Sequence, residues 1–138
     1  MDSTRLRIPP GERDYRATAS GTLAREVLLV GMFPRMHLRG SGFEYQVAGP
    51  QPGRIETLLS VDNYDFHWQL YYRLKTPRTL AASTRLLFTG HYDNSRRNPR
   101  NPDPEAEVTW GEQSDQEMMV GFFDVAAPPE TGKSDFLR

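Results

Sequence analysis

Alternation constrains this chain most: apolar and polar residues take turns over short stretches, and Gly, Pro and Asn break each stretch before a helical period is established. In an extended strand successive side chains point to opposite faces, so this pattern specifies half-buried strands. Tyr15, Ala17 and Ala19 alternate with polar residues over Asp14–Ser20, whereas Glu26–Phe33 (EVLLVGMF) is a continuous apolar run that reads as a buried strand. Pro34 ends that run and predicts a bend or a sheet edge, since proline cannot donate to a central ladder. Gly42–Ala48 sets Phe43, Tyr45 and Val47 on one face, the sequence Gly49-Pro50-Gln51-Pro52-Gly53 predicts a turn, and Ile55–Ser60 follows as a strand. Tyr64–Leu74 alternates far enough to predict one long strand, with Lys75–Thr84 as a connection and Arg85–Asp93 as the strand carrying His91. The closing strand, Gln116–Asp124, has Met118, Val120 and Phe122 on one face and Met119 and Phe123 on the other, which predicts burial between two layers.

Seven or eight such segments imply an all-β fold, an antiparallel jelly-roll-like β-sandwich of about 8 strands. At 138 residues the chain is expected to be one domain. That domain is read over residues 1–126, followed by a flexible tail over 127–138. The polar stretch from Asn94 to Ser114, with Pro99, Pro102 and Pro104, reads as a loop of a length that is usually functional or mobile.

Composition removes several classes of function. The net charge of −1 gives no electrostatic case for binding nucleic acid or an anionic membrane. The chain has no cysteine, so disulfides, thiolate zinc sites and cysteine nucleophiles are out together. No run approaches the roughly 20 apolar residues of a membrane span. The opening Met1–Arg7 lacks the apolar core of a signal peptide, so a soluble module or a piece of a larger protein is expected. There is no phosphate-binding glycine loop, GxSxG elbow, HExxH or EF-hand spacing. Asp93, Asn94, Asp103 and Glu105 offer oxygen atoms to calcium, with plain solvation as their simpler role.

Three histidines remain: His37, just past the Pro34 bend; His67, sharing a face with Gln69, Tyr71 and Arg73; and His91, on the face of Leu87 and Thr89. Singly, each reads as a hydrogen-bonded or exposed histidine. A sandwich interior is only about 10 Å thick, however, so two histidines from different strands and a methionine from the last can converge in it. Imidazole nitrogen with a thioether is a donor set for copper, and zinc, calcium and magnesium do not favour the methionine.

Several motifs recur in this order in a group of bacterial proteins: Ile8-Pro9-Pro10-Gly11, Pro34-Arg35-Met36-His37-Leu38-Arg39-Gly40, His91-Tyr92-Asp93-Asn94-Ser95, Asn98–Pro104, Trp110-Gly111-Glu112-Gln113 and Glu117-Met118-Met119. On these, residues 6 to 125 resemble the C-terminal domain of the copper type II, ascorbate-dependent monooxygenases, the family of peptidylglycine α-hydroxylating and dopamine β-monooxygenases. The resemblance implies a jelly roll holding one copper ion through a His-x-His pair and a Met after an acidic residue. It assigns the second histidine to His37 and the thioether to Met118 after Glu117, and it places His91 near Met118 and Met119 as a candidate third ligand. Arg35 stands where the first histidine is expected, and a guanidinium has no lone pair to offer a metal.

Two expectations follow. In one, the chain is the copper-binding, oxygen-activating half of a monooxygenase, hydroxylating a small-molecule substrate with electrons from ascorbate or an additional redox domain. The two-copper cycle of the characterised enzymes needs five histidines and this chain has three. A periplasmic or extracellular location is implied by resemblance. In the other, the same sandwich is a catalytically inactive binding or structural module with a degenerate metal site, and Tyr64, Trp68, Tyr71, Tyr72 and Trp110 line a ligand surface.

Overall fold

A computed structural model describes residues 5–49, 53–126 and 136–137. Nine strands form there: β1 (Arg7–Ile8), β2 (Tyr15–Thr22), β3 (Val27–Arg35), β4 (Gly40–Ala48), β5 (Ile55–Val61), β6 (Tyr72–Leu80), β7 (Arg85–Tyr92), β8 (Val108–Thr109) and β9 (Val120–Ala126). All pair antiparallel, in a four-stranded sheet β2-β7-β4-β5, a three-stranded sheet β6-β3-β9 and a short β1-β8 ribbon. The all-β sandwich expected from the alternation is what forms. No described helix is long and apolar enough to cross a membrane.

The two large sheets meet through aromatic rings. Tyr45 of β4 and Phe88 of β7 lie edge to face with centroids 5.2 Å apart, and Phe123 of β9 sits 5.3 Å from Tyr45 and 5.1 Å from Phe88. Such pairs add to the burial of their area because ring edges are positive and faces negative. Leu29 and Met32 of β3 complete this layer from the opposite sheet. Gly121 of β9 is required here, since a Cβ would overlap the Phe88 ring.

Four segments depart from the sequence reading. Tyr64–Tyr71 is irregular where one long strand was expected, because Asp65 turns the chain: His67 N donates to its carboxylate at 2.9 Å and Trp68 N to its carbonyl at 3.0 Å. The strand instead runs through Tyr72–Leu80, most of the stretch read as a connection. Its Lys75 and Pro77 mask it in the sequence, and they are tolerated because β6 is an edge strand.

The closing strand starts at Val120, and Glu117–Met119 precede it as an extended lead. β9 is not sandwiched between layers: it is an edge strand whose Phe122 is 49% exposed. Pro34 sits inside β3 but beyond the last residue paired with β6, so its missing donor faces no partner strand on that side.

The Asn94–Ser114 loop is internally tied rather than loose. Ser95 N donates to Asp93, Arg100 N to Asn98, Asp103 N to Asn101 and Glu105 N to Asp103, a run of side-chain-capped turns. Two of these ties engage oxygen atoms of the calcium candidates, one each on Asp93 and Asp103. The predicted turn at Gly49–Gly53 and the predicted tail fall largely on residues 50–52, 127–135 and 138, outside the described residues. Of the tail stretch, Phe136 O accepts from Ala24 N at 3.0 Å, and Leu137 forms a bridge to Leu23.

Candidate functional site

The corner between β3 and β4, residues 36–39, carries His37, one of the expected metal ligands. Met36, His37 and Arg39 are buried there, as is Glu117, which arrives from the lead into β9. A buried corner has backbone amides without strand partners, and leaving one unpaired costs as much as losing a hydrogen bond. The Glu117 carboxylate answers that need: it accepts from His37 N at 2.8 Å, Arg39 N at 2.7 Å and Met118 N at 3.3 Å. Tyr64 completes the tie, its hydroxyl accepting from Met36 N at 2.9 Å and donating to Met36 O at 2.8 Å.

The Arg39 guanidinium turns away from that carboxylate. It donates through Nε to Asn94 Oδ1 at 2.7 Å and to the carbonyls of Asp115 and Asp103 at 2.7 and 3.4 Å. Asn94, fully buried, donates to Pro9 O and Ala106 O, both at 2.9 Å, and accepts from Asn101 at 3.0 Å. Asn98 donates to Leu38 O and Asp93 O. One hub therefore joins the N-terminal turn, the β3–β4 corner and the long loop. No described buried side-chain nitrogen or oxygen lacks a partner.

Burial sets the electrostatics. It pushes Glu117 up to about 7 against the three amides and the Arg39 charge, which pull the other way. Burial also pulls Arg39 below its ordinary value and pushes Tyr64 up to about 12.

His37 and Met118 are linked at the level of the backbone, Glu117 accepting from the amide of each. The His37 ring is held by Gln116 O at 3.1 Å from Nδ1 and lies edge-on to Phe66, centroids 5.8 Å apart. A proton on Nδ1 in that bond leaves the lone pair on Nε2. Met118 is buried but stands outside the main apolar core, which Met119 joins.

The remaining candidates go elsewhere. Arg35 ends β3 opposite Val120. By alternation it lies on the outer face of the three-stranded sheet, so the two-residue spacing to His37 does not set the pair on one face: the strand stops between them. His91 also faces outward. Its Nδ1 meets Asp14 Oδ1 at 2.9 Å and its Nε2 lies 3.9 Å from Glu44 Oε1, in a hollow of about 310 Å³. The expected neighbour Met119 instead packs against the inner face of Gly90, one residue earlier and across the sheet. His67 is exposed, next to Phe66.

The one expected donor side chain placed in the corner is the His37 imidazole, while Met118 reaches it through its backbone amide. Among the described residues no three His, Asp or Glu side chains converge in a way that could hold a metal ion. The three-ligand copper set that the resemblance implies does not fit these residues: one expected donor is an arginine on another face, and the nearby carboxylate is occupied by amides. No protein-family model matches the chain, and no curated protein matches it.

The sequence reading gave no structural role to Arg39, Asn98 and Asn101 and offered Asn94 only to calcium, whereas these residues build the hub. Their signal was present in the motifs around Pro34–Gly40 and Asn98–Pro104, where an arginine and repeated Asn-Pro steps stand amid turns.

Proposed function

We propose that this chain is a β-sandwich binding or structural module in which the corner resembling a copper site works as a structural tie. The observation carrying this reading is the Glu117 carboxylate, taken up by the amides of His37, Arg39 and Met118. Buried polar groups are kept where they are fully paired, and here the pairing locks the β3–β4 corner to the lead into β9, nearly eighty residues on. The binding role would fall to aromatic side chains outside the core, among them Trp68, 72% exposed, and Tyr71, 48% exposed.

A second reading, the copper-binding half of a copper- and ascorbate-dependent monooxygenase, draws on one observation. Nδ1 of His37 is anchored on the Gln116 carbonyl, and a hydrogen bond from the far ring nitrogen is what orients a metal-binding imidazole. Copper titration followed by electron paramagnetic resonance separates the two. The structural reading expects no stoichiometric nitrogen-bound type II Cu(II) signal, and a His37→Ala variant that loses stability while copper uptake stays at background. A one-to-one signal that disappears in His37→Ala would overturn it in favour of the second.

A further inference from the structure

The three-stranded sheet has two edges of opposite character. β6 is guarded by Arg73, Lys75, Pro77 and Arg78, charges and a proline that discourage strand addition. β9, Val120-Gly121-Phe122-Phe123-Asp124-Val125-Ala126, has no Pro, Lys or Arg and a single charge. Its backbone pairs with β3 on one side, and among the described residues no backbone-to-backbone hydrogen bond is made on the other. Phe122 stands exposed on this edge against Phe33, centroids 6.0 Å apart. The outer strands of the other sheet are less open: β2 carries Arg16, and β5 is bulged at Leu58, between the paired residues Thr57 and Leu59.

We propose that β9 pairs antiparallel with β9 of a second copy of this chain, joining two three-stranded sheets into one of six strands. Two features select a second copy as the occupant. With one open and one guarded edge per sheet, pairing closes after a single two-fold step instead of growing into a filament. The strand also complements itself. Centring the two-fold on Phe122 sets the two Phe122 rings opposite each other on the outer face and each Phe123 opposite Gly121 of the second copy, an aromatic beside a position with no side chain. Centring it one residue later would oppose Phe122 to the Asp124 carboxylate.

The chain's own C-terminal residues are a poor occupant. Ala126 lies opposite Leu28 and Phe136 is bonded to Ala24, so both anchors are near one end of the sandwich. The residues between them, 127–135, span at most about 30 Å when extended, too short to run along β9 and return.

The test uses sedimentation velocity and a cysteine trap, which is clean because the chain has no cysteine of its own. The purified chain is expected at twice its 15.8 kDa at tens of micromolar, and Phe122→Lys at the monomer mass with an unchanged circular dichroism spectrum. Directly opposed antiparallel residues have Cα atoms about 4.5–5.5 Å apart, within disulfide reach. Phe122→Cys is therefore expected to give a covalent dimer on mild oxidation, and Leu28→Cys, on the same outer face but on the central strand, none. A wild-type monomer at every concentration, species beyond the dimer, or equal cross-linking at both cysteines would overturn the proposal. Should Phe122→Lys fail to fold, the two neutral cysteine variants decide.

Discussion

At the β3–β4 corner an arginine, a carboxylate, an asparagine and a histidine are shut away from solvent; on the outer face of the β6-β3-β9 sheet, Phe122 and Tyr71 stand in it. The corner's polar groups are each held by named partners in a closed network. The outer face carries a polar link in the Tyr71 hydroxyl, which donates to Asp124 at 2.7 Å, with the ring lying over Gly31. The difference separates what holds the fold from what the fold presents. Deep in the corner, losing one member strands the others in a low-dielectric interior, whereas on the open face water replaces whatever is removed.

Arg39→Leu should widen that contrast most. It leaves the Asn94 oxygen and the carbonyls of Asp115 and Asp103 without their donor and removes the cation nearest Glu117. Leaving one buried acceptor unsatisfied costs about 1–3 kcal/mol and several are left here, so urea unfolding should shift by about 3 kcal/mol or more. Arg39→Lys should recover little, because a single ammonium cannot reach three acceptors set in a fork. An Arg39→Leu variant as stable as the wild type would end the claim that the corner is a structural tie.

The corner should also make stability depend on pH. Glu117 holds its proton up to about 7 in the folded chain, against 4.5 for its ordinary value. The folded state binds more protons between those values, so the contribution is fully present below 4.5 and is lost as pH rises through 7. A gap of about 2.5 pH units corresponds to roughly 3 kcal/mol. Unfolding free energies measured at about pH 5 and about pH 8 should show the wild type favoured at the lower pH. Glu117→Gln should be flatter across that range, and equal slopes for the two proteins would remove the carboxylate from the account.

Asn94→Ala should cost less, about 1–3 kcal/mol, the penalty for leaving buried polar groups unsatisfied. Here those are the Arg39 Nε donor and the carbonyls of Pro9 and Ala106. Thermal unfolding at fixed pH reads it directly.

How far the sequence foretold these two regions follows from what each rests on. Strands β2, β3, β4, β5 and β7 were legible because alternation is a local property, and their predicted and observed bounds agree to within two residues. β6 was not, since an edge strand tolerates the lysine and proline that argue against a strand. Tyr64–Tyr71 alternates like a strand, but the Asp65 carboxylate closes a turn there. At the corner, the motifs of the resemblance picked out His37 and Glu117, whose carboxylate accepts from the His37 amide. His91 was misplaced beside Met119 because one residue of offset along β7 moves a side chain to the other face. The hub around Arg39 and Asn94 depends on contacts between segments more than fifty residues apart, which no window of sequence contains.

The smallest effect should come from Tyr71→Phe. It deletes the hydroxyl that bonds Asp124 while keeping the ring over Gly31. Tyr71 is about half exposed, so both the lost donor and the freed carboxylate find water, and the unfolding midpoint should not move measurably. The same open surface that makes the substitution silent for stability makes it informative for binding. If the aromatic face serves recognition, Tyr71→Phe should change affinity for a partner without changing the fold, the reverse of every corner variant. A loss of stability comparable to that of Asn94→Ala would mean that the outer face is part of the fold's support, and the line drawn between the two regions would have to move.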